Sequence, residues 1–173
     1  MQTGAASTQE HCEGGGLLRP KEDLARLYET HFKTVWNICR TILPRAEDAE
    51  DAVQETFVRL ALSDKVFRDA AHEKAWLITT ARHLCLDQLK RAEARNLPLS
   101  DVSEPSVPAY APDETLQALQ ALPEPYKTAL YLFYYEQYST RQIAKLLGRR
   151  EATVRSDLRR GRLMLKQKLE DQG

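Results

Sequence analysis

Four prolines within fifteen residues, Pro98, Pro105, Pro108 and Pro112, divide this chain in two. Each fixes φ and removes a backbone donor, so no helix runs through 96–112. On either side, nearly every patterned segment places its apolar residues at helical spacing. The expected fold is therefore all-α, two small helical domains joined by a flexible Pro-rich linker. A length of 173 residues allows one domain or two small ones. The expected boundaries are a disordered tail at 1–21, a first domain at 22–95, the linker at 96–112 and a second domain at 113–173. Fully extended, such a linker reaches about 55 Å, more than the roughly 34 Å of one turn of B-DNA.

In the first half, Leu24, Leu27, Tyr28, Val35, Ile38, Cys39 and Ile42 form one helical stripe that Pro44 ends. A second helix is expected from about Ala46 to Leu62, with Ala49, Val53, Phe57 and Leu60 inward. Its start and outer face carry Glu47, Asp48, Glu50, Asp51 and Glu55. Acids suit the first turn of a helix dipole, but this many exceed what the dipole requires. A non-periodic loop, Ser63 to Glu73, precedes a long helix from Lys74 to about Arg95. Trp76, Leu77, Ala81, Leu84, Cys85 and Leu89 face inward there. Thr79, Arg82, His83, Gln88, Lys90 and Arg91 are expected on its surface.

The last third carries a helix-turn-helix pattern. Ser139-Thr140-Arg141-Gln142 reads as a capping box. Ala144 is small where a second helix crosses, and Gly148 suits a turn needing positive φ. Val154 and Leu158, at i and i+4, pin the second helix to the first. A cationic row, Arg155, Arg159, Arg162 and Lys166, is left outward, as on a helix that enters a major groove. Charge bookkeeping agrees. The net charge is zero, yet Tyr138–Gly173 holds ten Lys/Arg against four Asp/Glu, and Asn96–Gln137 one against six. An acidic middle beside a basic end points to nucleic acid.

Other classes are weaker. His31, His72 and His83 lack the i, i+4 spacing of a metal site, so a metal-dependent hydrolase is not expected, nor any enzyme, metal, cofactor or small-molecule substrate. Cys12, Cys39 and Cys85 fit no zinc spacing, and buried free thiols are expected for the last two. No run has the apolar length of a membrane span and no signal sequence opens the chain, so a cytoplasmic protein is expected. A stand-alone helix-turn-helix regulator is the alternative, although it would normally add a ligand or phosphoacceptor domain. The first 95 residues show no strand pattern for one. A pure scaffold is disfavoured by the basic helix.

The segments "DAEDAVQETFVRLAL", "AWLITTARHLCLDQLKR", "ALPEPYKTALYLFYYEQYSTRQIAKLLG" and "TVRSDLRRGR" occur in the order seen in bacterial sigma-70 factors. Over about residues 22–168 the chain resembles the extracytoplasmic-function (ECF) subfamily, which keeps region 2 and region 4. The resemblance implies an alternative RNA polymerase sigma factor. Asp48, Asp51, Gln54 and Glu55 would dock on core polymerase at its β′ subunit, with β also a partner. Thr79, Arg82, His83, Lys90 and Arg91 would read and melt the −10 region, where cations meet phosphate and a pocket takes an unstacked base. Arg149, Arg150, Arg155, Ser156, Asp157, Arg159, Arg160 and Arg162 would bind the −35 element of promoter DNA, some at bases and others at phosphates. Asp157, where a basic residue is common, is expected to accept from a cytosine amino group or orient an arginine. An anti-sigma factor is an implied partner. A membrane-bound one would hold the chain at the inner membrane.

Overall fold

The computed structural model describes residues 18–96 and 114–172, which form seven helices. The expected linker and most of the expected tail lie outside the described residues. Helix α1, Lys21–Ile42, starts with Glu22 and Asp23 and finishes with Arg40, charges that complement its dipole. Leu43 turns to extended backbone before Pro44, as the residue preceding a proline favours. Helix α2 spans Ala46–Ala61. Helix α3, Ala70–Ala94, begins four residues earlier than expected. Asp69 caps it, its carboxylate accepting from the His72 backbone N–H at 2.8 Å.

These three helices pack around Leu27, Val35, Ile38, Cys39, Leu60, Leu77, Ile78 and Cys85, all at most 1% exposed. Ala49, Ala52 and Ala81 are fully buried as well, small enough to let the helix axes approach. An ionic chain ties α1 to the start of α3. Arg26 bonds Asp23 and Glu73, both at 2.9 Å, and the buried His31 ring lies 3.3 Å from Glu73. Arg26 first, then His31, holds the Glu73 carboxyl below its ordinary range.

Two expectations need correcting here. Residues 18–21 are not a loose tail: Leu18 and Arg19 donate backbone bonds to Ala61 O. Arg19 also bonds Asp23 at 2.7 Å and lies over the Phe67 ring. Tyr28 is 46% exposed, because α2 offers it Phe57 at its edge rather than a closed pocket, with ring centroids 4.7 Å apart.

The second group comprises α4 (Glu114–Gln120), α5 (Tyr126–Tyr134), α6 (Thr140–Leu147) and α7 (Glu151–Gln172). Its core is Leu116, Leu119, Leu122, Leu130, Ile143, Val154 and Leu158. The two groups are not separate in space. Helix α1 packs against α4 and α5, and α3 touches α6. Lys127 of α5 extends into the first group and donates to Ile42 O at 3.0 Å, satisfying a carbonyl that the end of α1 leaves open.

Candidate nucleic-acid interface

The turn between α6 and α7 is built as its residues require. Ser139 Oγ accepts from the Gln142 backbone N–H at 3.2 Å, and Gln142 Oε1 accepts from the Ser139 N–H at 2.9 Å. Gly148 sits at φ 63°, ψ 37°, a left-handed conformation that costs glycine little. The Arg149 N–H then returns to Ala144 O at 2.9 Å. Val154 and Leu158 are buried against Ile143 and Ala144, which fixes the angle of α7 on α6. Thr140 donates to Glu151 at 2.8 Å across that turn.

Outside this seam, Arg155, Ser156, Arg159, Arg160, Arg162 and Lys166 are all exposed. Arg155 keeps 64% of its side chain in solvent and lies 3.7 Å from Glu151. Arg162 approaches the Tyr134 hydroxyl at 3.5 Å. One face of α7 thus presents guanidinium groups over several turns. Arg155 and Ser156 lie nearest its N-terminus, where a recognition helix reaches base edges. Arg150 also stays on the surface.

Asp157 is the exception: of its two expected roles the structure shows the pairing with an arginine, on a side chain withdrawn from the surface. The residue is 7% exposed, and its carboxylate takes Arg149 Nη1 at 2.8 Å. Position 157 belongs to the inward row 154, 157, 158, 161, the i, i+3, i+4, i+7 stripe of α7. Its charge therefore fastens the turn instead of facing a groove. Arg149 is correspondingly spent on an internal partner, with a third of its side chain exposed. Gly161 completes the same row and was not singled out from the sequence. A Cβ there would come within 2.8 Å of Leu130 Cδ1 and 3.2 Å of Tyr126 Cβ, so its lack of a side chain lets α7 cross α5.

On α3, His83, Lys90 and Arg91 are exposed, whereas Thr79, Arg82 and Gln88 are half-buried. The expected exposure of those three is corrected: the second helical group lies over part of this face. Thr79 donates to Ala75 O at 2.8 Å. Arg82 has its Nε sealed from solvent without a hydrogen-bond partner among the described residues. Burial lowers the pKa of its guanidinium; Glu124 opposes that shift and Arg149 adds to it. Both neighbours belong to the second group. Trp76 is partly buried and packs edge-on against Phe67, centroids 5.8 Å apart.

Helix α2 forms a different surface. Asp51, Gln54 and Glu55 are exposed and Asp48 partly so. Glu55 bonds Arg59 at 2.9 Å, and Asp48 lies 4.0 Å from Arg45, surface pairs of small energetic weight. Val58 and Leu62 continue this side, 49% and 51% exposed. Asp51, Gln54 and Glu55, followed by the apolar Val58 and Leu62, make a face suited to a partner carrying cations beside an apolar strip. Sequence reasoning missed the apolar part, although its spacing was visible.

Two family models match the chain, Sigma-70 region 2 over residues 27–95 and Sigma-70, region 4 over residues 113–165. It is 33% identical over 142 residues to the ECF RNA polymerase sigma factor SigL of Mycobacterium tuberculosis, covering 76% of this chain and 80% of that one. Against the ECF RNA polymerase sigma factor SigM of that species it is 32% identical over 145 residues, 81% and 74% of the two chains. In fold it is similar to the sigma factor RpoE in its complex with the anti-sigma factor NepR from Bartonella quintana. That match has a TM-score of 0.72 at 21% identity and covers 86% of this chain and 98% of that one. CnrH, in complex with the cytosolic domain of CnrY, matches at TM-score 0.62, also at 21% identity, over 89% and 92%.

Proposed function

The chain belongs to the sigma-70 family as an extracytoplasmic-function sigma factor, and on that premise we propose how its surfaces divide the work of promoter-specific initiation. The α2 face of Asp48, Asp51, Gln54 and Glu55 docks on core RNA polymerase at β′. Val58 and Leu62 supply the apolar part of that contact, and β is a second site of attachment. On α3, Thr79, Arg82, His83, Lys90 and Arg91 engage the −10 element and stabilise its melted strand. Phosphate attraction there supplies binding, and stacking or pocketing of an unpaired base supplies selectivity. Arg155, Ser156, Arg159 and Arg160 read the −35 element from the major groove, while Arg150 and Arg162 meet its phosphates.

The observation that carries this reading is the uninterrupted exposed cationic face of α7 on a fully formed helix-turn-helix, in one chain with the acidic α2 face. Neither feature alone separates a sigma factor from a stand-alone regulator; together they supply one surface for DNA and another for a protein. An anti-sigma factor is the partner we assign to the resting state; the sigma factor RpoE, similar in fold, is held in complex with the anti-sigma factor NepR. The site of action is the cytoplasm. No helix among the described residues is long and apolar enough to cross a membrane.

Run-off transcription with core polymerase tests this reading. Promoter-dependent transcripts that require this chain are expected. Binding to duplex promoter DNA without core, and no transcript with it, would establish the stand-alone regulator instead.

A further inference from the structure

The face assigned to the −35 element holds one acid that its cationic neighbours do not explain. Glu151 is the first residue of α7, and Thr140 is the first of α6. They stand eleven positions apart and meet across the turn, the Thr140 hydroxyl donating to Glu151 Oε1 at 2.8 Å. Arg155 Nη1 lies 3.7 Å from the same oxygen. The Glu151 side chain still keeps 39% of its surface in solvent, with Arg150 and Arg155 exposed before and after it in the chain. An acid in the first turn suits the helix dipole, but the dipole requires no tether to a second helix.

On a surface that approaches phosphates, a carboxylate is repelled unless it gains a donor. On the base edges of the major groove the donors are the amino groups of cytosine and adenine, whereas guanine N7 and O6 and thymine O4 accept. Adenine sets its N7 acceptor beside N6, which suits a side-chain amide and opposes a carboxylate. Cytosine presents its N4 donor without a neighbouring acceptor. The first residues of a reading helix reach base edges, and a side chain already tied to α6 has less freedom to lose there. Arg155 follows one turn later, about 6 Å further along the helix. That exceeds the step of roughly 3.4 Å between base pairs, so the two side chains can address different pairs.

We propose that Glu151 is a specificity-determining residue: buttressed by Thr140, its carboxylate accepts the N4 amino group of a cytosine in the −35 element, at a base pair other than the one Arg155 reads. The proposal rests on the reading that α7 enters the −35 major groove. It adds to that cationic row an acid that penalises guanine and thymine at its own position. Thr140 acts through Glu151, as a positioning residue.

The test applies the full chain, bound to core polymerase, to a duplex library randomised through the −35 element and sequences what is retained. Wild type should enrich cytosine at one position about tenfold over guanine or thymine, the order expected of one base-edge contact. Glu151→Ala should flatten that position alone. Glu151→Gln, which keeps an acceptor for Thr140, should turn the preference there from cytosine to adenine. Thr140→Val should leave cytosine first by a margin reduced several-fold, and Arg155→Ala should flatten a different position. Thermal melts separate readout from folding. A Glu151→Ala variant with a lowered midpoint and an unchanged base ranking makes the residue a support for the start of α7 and overturns the proposal. So does a uniform loss at all positions, a base other than cytosine preferred at the Glu151-dependent position, a Glu151→Gln profile without adenine, or a Thr140→Val profile identical to wild type. If the Arg155-dependent preference persists through such a result, the reading of α7 stands without Glu151. A wild type with no −35 preference at all removes the reading and the proposal together.

Discussion

Arg155 and Asp157 stand two positions apart on one helix and do opposite work. Arg155 projects into solvent, so Arg155→Ala should leave the melting temperature unchanged and weaken cognate −35 binding by about 1–3 kcal/mol in a titration series. Asp157 is buried on Arg149. Asp157→Ala should lower stability by roughly 1–3 kcal/mol in thermal or urea melts, through the stranded guanidinium. It should weaken binding to all −35 variants alike, and a changed ranking over randomised −35 sequences would return Asp157 to the DNA surface. Pairing with an arginine was within the sequence reading of this carboxylate, but its burial was missed because charge was taken as exposure, although its place in the row Val154, Asp157, Leu158, Gly161 was legible. Glu73 gives a pH signature. Its carboxyl is held below the ordinary value of 4.5, chiefly by Arg26. Its contribution to stability is therefore complete above about pH 4.5 and is lost as pH falls through the depressed value. Glu73→Gln should flatten the acid limb of stability against pH, and an unchanged limb would show that Glu73 contributes nothing there.

At the scale of the element, the existence and type of α1, α2, α3, α6 and α7 were legible, because apolar spacing and punctuation agree, whereas α4 and α5 were not singled out. Pro44 ends α1, the Ser139–Gln142 box opens α6, and Gly148 closes it. What escaped was chemistry at the edges. Asp69 is a cap three residues before His72, yet the segment reads as loop because its neighbours lack periodicity. Arg19 looks like tail until Asp23 and the Phe67 ring are seen to hold it. Crossing points are equally silent in one sequence. Gly161 has a helix-weakening residue type inside α7, and only the packing of Leu130 and Tyr126 over it gives a reason. Gly161→Val should destabilise α5–α7 packing by about 1–3 kcal/mol, since a branched side chain overfills the crossing. Circular dichroism melts would register this as a lowered midpoint; a raised one would mean that Leu130 yields easily and helix propensity dominates.

At the scale of the molecule, composition reads as neutral while the surfaces are sharply divided, acid on α2 and cation on α7. Asp51→Lys together with Glu55→Lys should reduce retention of this chain on core polymerase at least several-fold while leaving its melting curve in place. The exposed charges contribute little to folding. Unchanged co-purification would remove the α2 face from the docking surface. The packing of the two halves was illegible in advance. Lys127 and Ile42 O meet across 85 residues of sequence, and a proline-rich gap reads as separation rather than closure. The unequal exposure of the two basic faces has a kinetic consequence. The α7 row is open to solvent while Arg82 on α3 is partly covered. On the proposed roles, such a chain is expected to meet a duplex one-handed, with α7 setting the encounter rate and its steep salt dependence. The second grip would then await a first-order uncovering of Arg82, which puts capture and commitment on separate clocks.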